Sequence, residues 1–265
     1  MRPAGATTVL LLLAGAAGAP TCVLAQAAKQ NRVEVQAGPL SHSLLGTVGG
    51  TLPNLGANGY DVAARVEGES STLLGVSAGL RLKPSLTLRA RVARTTTALR
   101  LVVDATPVGG AGAQRYTFDG LGDVGIWLMD VDLAWAFWRS DGLLVPYVFG
   151  GIGASRWTLS GLEDLGALPP LLESPLSLSP ITAFLPGAVA GVGVEIAVLG
   201  PVRLGIEVAD HVSGDPISDD DFRIGTNFVG FGRAKDLVHN FSMTAAARIA
   251  FGTAGSERRS SPGPT

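Results

Sequence analysis

Apolar residues recur at every second position along several segments, the spacing of a strand that turns one face to an apolar surround and one away from it. Across 202–212, Val202, Leu204, Ile206 and Val208 share one face, opposite Arg203, Gly205, Glu207 and Ala209. Leu86, Leu88, Ala90 and Val92 stand in the same way opposite Thr87, Arg89, Arg91 and Ala93. Near the C-terminus, Phe241, Met243, Ala245, Ala247, Ile249 and Phe251 alternate with Asn240, Ser242, Thr244, Ala246 and Arg248. A helix would space its apolar residues three and four apart. The pattern predicts about eight strands: 32–40, 72–83, 85–96, 123–138, 143–158, 183–198, 201–212 and 236–252, the first with the weakest alternation.

The connections carry independent information. Lys83-Pro84-Ser85, Arg139-Ser140-Asp141-Gly142 and Leu199-Gly200-Pro201 are tight turns of the residue types that turns require. Between them lie long polar or glycine-rich stretches, 41–71, 97–122, 159–182 and 213–235. Short and long connections therefore alternate. That is the habit of an all-β, antiparallel up-and-down transmembrane barrel with short periplasmic turns and long extracellular loops. An even strand count then puts both chain ends on the periplasmic side.

The charges indicate which face is which, because a charge against lipid near the midplane costs roughly 2–4 kcal/mol. Alignment by apolar parity puts Glu34, Arg81, Arg89, Arg91, Asp130, Asp132, Arg156, Glu195, Arg203, Glu207 and Arg248 in the lumen. Acids and bases fall on neighbouring strands, so a lumen ion-pair network is expected. Two aromatic girdles are expected as well. Trp135, Phe137, Tyr147 and Phe251 lie toward the short turns, and Trp127, Trp157, Phe184 and Phe241 toward the long loops.

Composition narrows the reading further. Mean hydropathy is positive and only 16% of residues are charged. The closest candidate for a spanning helix, 181–199, contains Pro186, Glu195 and Gly187, Gly191 and Gly193, which argues against one. A net charge of −2 gives no electrostatic case for nucleic acid. Arg2, the apolar run Val9–Gly18 and Ala25-Gln26-Ala27 together read as a secretory signal peptide over 1–27, cleaved after Ala25 or Ala27. Cys22 is the only cysteine, and Ala19-Pro20-Thr21 before it fits a lipid-anchor motif poorly. The mature chain, residues 28–252 plus a polar tail 253–265 of disordered composition, then has no thiol for a disulfide, zinc site or nucleophile.

Pro146-Tyr147-Val148-Phe149-Gly150-Gly151-Ile152-Gly153 resembles a strand common in small outer-membrane barrels of the OmpA/OmpX type. Pro186-Gly187-Ala188 with Gly191-Val192-Gly193-Val194-Glu195 resembles the strand after the third long loop of such proteins, and the terminal Phe241–Phe251 alternation is similar to their β-signal. The β-signal normally ends the chain, whereas here residues 253–265 follow it. The resemblance implies a bacterial outer-membrane location and contact with outer-membrane lipid and lipopolysaccharide. It further implies insertion by the barrel-assembly machinery; a few members of the type are enzymes, but a monomer with no cofactor and no enzymatic role is expected here. An eight-stranded interior is just wide enough for side chains to fill, so a plugged barrel with a structural or surface-interaction role is expected, with a narrow pore as the alternative.

Three other readings are weaker. His211-Val212-Ser213 is similar to the H-x-S element of lipid A deacylases, in which His activates Ser. By parity, however, both residues face the lumen rather than lipid, and Asp210 faces away from them. Asp215, Asp219, Asp220 and Asp221 offer hard oxygens for Ca²⁺ but lack EF-hand spacing, and read as a solvated loop. A soluble lipocalin-like barrel would need an apolar interior where the charges are predicted.

Overall fold

In the computed structural model of the chain, residues 31–42, 46–52, 59–110, 112–119, 122–137, 143–159, 176–178, 181–216, 222–224, 231–232 and 237–251 are described. The 1–27 leader and the 253–265 tail lie outside them. All fourteen elements are strands: β1 (Asn31–His42), β2 (Gly46–Leu52), β3 (Tyr60–Gly68), β4 (Ser71–Lys83), β5 (Leu86–Pro107), β6 (Gln114–Phe118), β7 (Asp123–Ala136), β8 (Leu144–Leu159), β9 (Leu176–Leu178), β10 (Ile181–Leu199), β11 (Val202–Gly214), β12 (Phe222–Ile224), β13 (Phe231–Gly232) and β14 (Leu237–Phe251).

Eight of them close a ring. The order is β1, β4, β5, β7, β8, β10, β11 and β14, every neighbour antiparallel, and β14 pairs back onto β1. The closing seam is in register from Asn31↔Phe251 through Glu34↔Arg248 to His42↔Asn240, so the barrel has no open edge to template pairing with another chain. At the β10–β11 turn, Gly200 has φ +51, a conformation that favours glycine.

The long connections, expected as polar or glycine-rich loops, carry strands of their own. β5 is 22 residues long and continues past the barrel wall. Its upper part, from Leu99 to Pro107, pairs with β3 on one side, and Leu101–Ala105 pair with β6 on the other. β2 pairs with β3, and β13 with β2, so a ribbon of sheet rises from the long-connection end. Two-residue periodicity does not stop at a membrane surface, and β5 keeps one parity throughout.

The outside of the barrel is apolar. Val131 (48% exposed), Ile152 (76%), Ile206 (48%) and Met243 (54%) all face outward, while Arg89, Asp132, Glu207 and Arg248 face inward at 1% each. A soluble barrel would have these reversed. This inverted sorting is the arrangement that lipid demands, and a single-chain antiparallel barrel of eight strands is the outer-membrane type. The fold is an outer-membrane β-barrel.

Position on the exterior sets the cost of a charge. Met243→Arg, near the middle of β14, is expected to lower unfolding stability by about 2–4 kcal/mol in lipid vesicles, whereas Leu237→Arg at the strand's end costs about 0–1. Equal losses in a denaturant titration of the two variants would contradict the assignment of the outer face.

Candidate functional site

The lumen holds a network built by cross-strand register. Arg89↔Asp132 and Arg91↔Asp130 are directly opposed on β5 and β7. Arg89 Nε donates to Asp132 Oδ1 at 2.7 Å, Arg91 Nη2 to Asp132 Oδ2 at 2.9 Å, and Arg91 Nε to Asp130 Oδ1 at 3.2 Å. Glu34↔Arg248 are opposed on β1 and β14, and Arg248 Nε donates to Glu34 Oε2.

Glu207 is the hub. β11 stands diametrically opposite β5 in the ring, yet Glu207 Oε1 accepts from Arg89 Nη1 at 2.5 Å and Oε2 from Arg91 Nη1 at 2.9 Å. The same carboxylate accepts from Arg248 Nη2 and, at 2.5 Å, from the Tyr147 hydroxyl. Tyr147 in turn accepts from Arg248 Nη2 at 2.6 Å. Toward the short-turn end Glu195 accepts from Arg32 at 2.6 Å, lies 2.8 Å from Arg248 Nη1, and reaches Arg203 at 4.0 Å. That arrangement relieves the like-charge pair Arg203↔Arg248 across β11 and β14. Five arginines (32, 89, 91, 203, 248) thus meet five carboxylates (34, 130, 132, 195, 207). The interior closes on itself without net charge, as buried ions require.

Two aromatic rings of β8 brace this network. Arg89 Cζ lies 4.4 Å from the Phe149 ring centroid and Arg248 Cζ 5.2 Å from that of Tyr147, within cation–π range. Both rings lie across β10 where it has no side chain. A Cβ on Gly191 would fall 2.4 Å from Phe149 Cζ, and one on Gly193 2.3 Å from Tyr147 Oη. The glycines of the 186–195 motif therefore make room for the aromatics of the 146–153 motif.

Above the ions the lumen changes character. Ala93, Thr95 and Thr97 follow Arg91 on the inward face of β5, and then Leu99, Leu101, Val103 and Ala105. With Leu40, Leu73, Ile126, Leu128, Trp157 and Val66 they form an apolar layer that fills the long-connection end. Tyr60, Tyr116 and Phe118 of the rising ribbon pack on it. Hydropathy alternation alone does not single out this layer. Its signal was present in β5, whose inward parity runs unbroken while the residue type switches from arginine to leucine.

Three sequence assignments need correction, all on β8. Arg156 is exposed on the outer face, not in the lumen, and Tyr147 and Trp157 are inside at 3% and 2% exposure, not in a girdle. The register with β7 fixes the parity: Asp132↔Gly151 and Asp130↔Gly153 turn the odd-numbered residues inward. Arg81 keeps lumen parity but sits at the turn, donating to the Pro84 carbonyl at 3.0 Å. Trp127, Trp135, Phe137, Phe184, Phe241 and Phe251 do face outward. Trp127 and Trp135, eight residues apart on one tilted strand, lie about 20 Å apart along the barrel axis, close to the height of an apolar band.

His211 and Ser213 lie inside, at 7% and 3% exposure, with His211 Nδ1 3.7 Å from Asp130 Oδ2. Asp210 instead pairs with His239 at 2.8 Å. Of the acidic loop, 219–221 lie outside the described residues. The outer face of the ribbon carries a charge ladder, in which Asp104 accepts from Arg115 at 2.6 Å and from Arg65 at 3.2 Å. The hydrogen bond from Arg115 holds the Asp104 carboxyl below its ordinary range.

Loss of one partner from a buried network leaves the others uncompensated. Glu207→Leu, which strands three arginines, is expected to lower unfolding stability by about 3–5 kcal/mol. Gly193→Val, which pushes Tyr147 off its partners, is expected to lower it by about 1–3 kcal/mol. Denaturant unfolding in detergent checks both, and a Glu207→Leu midpoint equal to that of the unmodified chain would refute the network's structural role.

No protein-family model and no curated protein sequence matches the chain. Solved structures do. Neisserial surface protein A is 16% identical, with a TM-score of 0.43, over 83% of this chain and 97% of its own. The outer membrane protein OprG from Pseudomonas aeruginosa is 12% identical, with a TM-score of 0.43, over 85% and 98%. The outer membrane protease OmpT from Escherichia coli is 12% identical, with a TM-score of 0.43, over 84% and 97%. These likenesses concern fold alone, and the outer-membrane reading rests on the barrel's own closed ring and inverted surfaces.

Proposed function

We propose that the protein is a sealed outer-membrane scaffold whose working surface is the sheet ribbon at its extracellular end, rather than a pore. The observation that carries this is closure of the lumen at two levels. Glu207 bridges the full diameter to Arg89 and Arg91, and above it an apolar layer surrounds Trp157 at 2% exposure. A hydrated ion passing through would have to part a charge-balanced network and then cross a layer offering few polar partners, each step unfavourable.

The ribbon suits recognition because it stands clear of the membrane on a rigid base. Its outer face alternates charge: Arg65, Asp104 and Arg115 meet in one cluster, Glu69, Arg100 and Asp119 in another. Closure of the ring by one chain supports a monomer. The outward Phe241, Met243, Ile249 and Phe251 of β14 support insertion by the barrel-assembly machinery. The lipid A deacylase alternative loses its geometry, since His211 and Ser213 are enclosed in the lumen and out of reach of lipid.

Planar-bilayer recording of the refolded protein tests the proposal. Silence at ordinary holding potentials is expected, and discrete conductance steps from the unmodified chain would overturn it in favour of the narrow pore.

A further inference from the structure

The corrected place of Arg156 exposes a feature on the barrel's outside. Arg94↔Trp127, Trp127↔Arg156 and Arg156↔Phe184 are direct register partners, so these four residues form one row across β5, β7, β8 and β10. All four are exposed. Arg94 Cζ lies 5.2 Å from the Trp127 ring centroid, and two strand spacings set the arginine backbones about 9–10 Å apart. The next outward row toward the short turns is Val92, Met129, Ala154 and Pro186, wholly apolar. The next row the other way is Thr96, Gly125, Thr158 and Thr182, three hydroxyls and a gap. The row thus marks the boundary where hydrocarbon gives way to headgroups, on the extracellular side.

Neither arginine has an acid partner among the described residues. Asp123, the nearest outward acid on these strands, is four residues up β7 from Trp127, about 13 Å away. Every lumen arginine, by contrast, is matched. Two guanidiniums at a lipid boundary that meet no described carboxylate are suited to anions, and a guanidinium binds phosphate oxygens in bidentate fashion.

The geometry points to a binding site for the phosphate-bearing headgroup of an outer-leaflet lipid: Arg94 and Arg156 grip phosphate, Trp127 lies between them, and the threonine row faces headgroup hydroxyls. The acyl chains run down the Val92–Met129–Ala154–Pro186 surface, so a lipid-borne phosphate is favoured over a free one. The site is independent of whether the lumen conducts.

Native mass spectrometry of the detergent-purified full chain, titrated with diphosphoryl lipid A, tests this. A one-to-one adduct is expected, weakened about tenfold or more in the Arg94→Gln/Arg156→Gln variant and partly retained in Arg94→Lys/Arg156→Lys. Heat-modifiable gel migration confirms that each variant is folded. Inorganic pyrophosphate should not displace the lipid, and phosphatidylcholine should bind no better to the unmodified chain than to the glutamine variant. Undiminished lipid A binding by the glutamine variant would overturn the proposal. So would displacement by pyrophosphate, or an equal loss in the ribbon control Arg65→Gln/Arg115→Gln.

Discussion

The carboxylate of Glu207, held across the full width of the barrel by Arg89 and Arg91 and from the neighbouring strand by Arg248, is the contact on which the interior depends. An eight-stranded ring leaves space for side chains and little else, and each charge placed there must find its counter-charge inside. Removing any one leaves its partners buried and unmatched, so the network stands or falls as a unit. Its demands explain features that otherwise look incidental. Tyr147 and Phe149 lie over the arginines, and Gly191 and Gly193 are bare because those rings occupy the space.

A division of labour runs along the barrel axis. Charges fill the short-turn half of the lumen, apolar side chains the other half, and the rising ribbon covers the latter. Outside, hydrocarbon-facing residues occupy the middle of the strands, with Trp135 and Phe137 at one margin and Trp127 and Phe184 at the other. Side-chain chemistry on each face therefore changes with depth as well as with parity. A rule that places every polar residue inside holds only at mid-membrane.

That is where the sequence misleads. Barrel class, strand number and most lumen charges were legible from two-residue periodicity and from the alternation of short and long connections, because lipid imposes both. β8 was not. Its even positions include Ile152 and Arg156 and its odd positions Tyr147, Ser155 and Trp157, so hydropathy favours neither face. Placing Arg156 inward shifted the whole strand by one residue and turned Tyr147 and Trp157 outward with it. The pairing of Gly151 and Gly153 with Asp132 and Asp130 settles the strand, and that pairing becomes visible only once β7 and β8 are in register. The ribbon strands escaped notice because short polar strands such as Gln114–Phe118 are stabilised by pairing with β5 rather than by an apolar face of their own.

The whole arrangement is an inverted barrel, apolar toward lipid outside and packed with charged and then apolar side chains inside. Spin labels placed singly at 241 to 246 on β14, in protein refolded into vesicles, test it most directly. Oxygen accessibility is expected to peak at 241, 243 and 245, while labels at 242, 244 and 246 are shielded from oxygen and from a water-soluble quencher alike. Equal quencher access at both sets, or the opposite alternation, would contradict it.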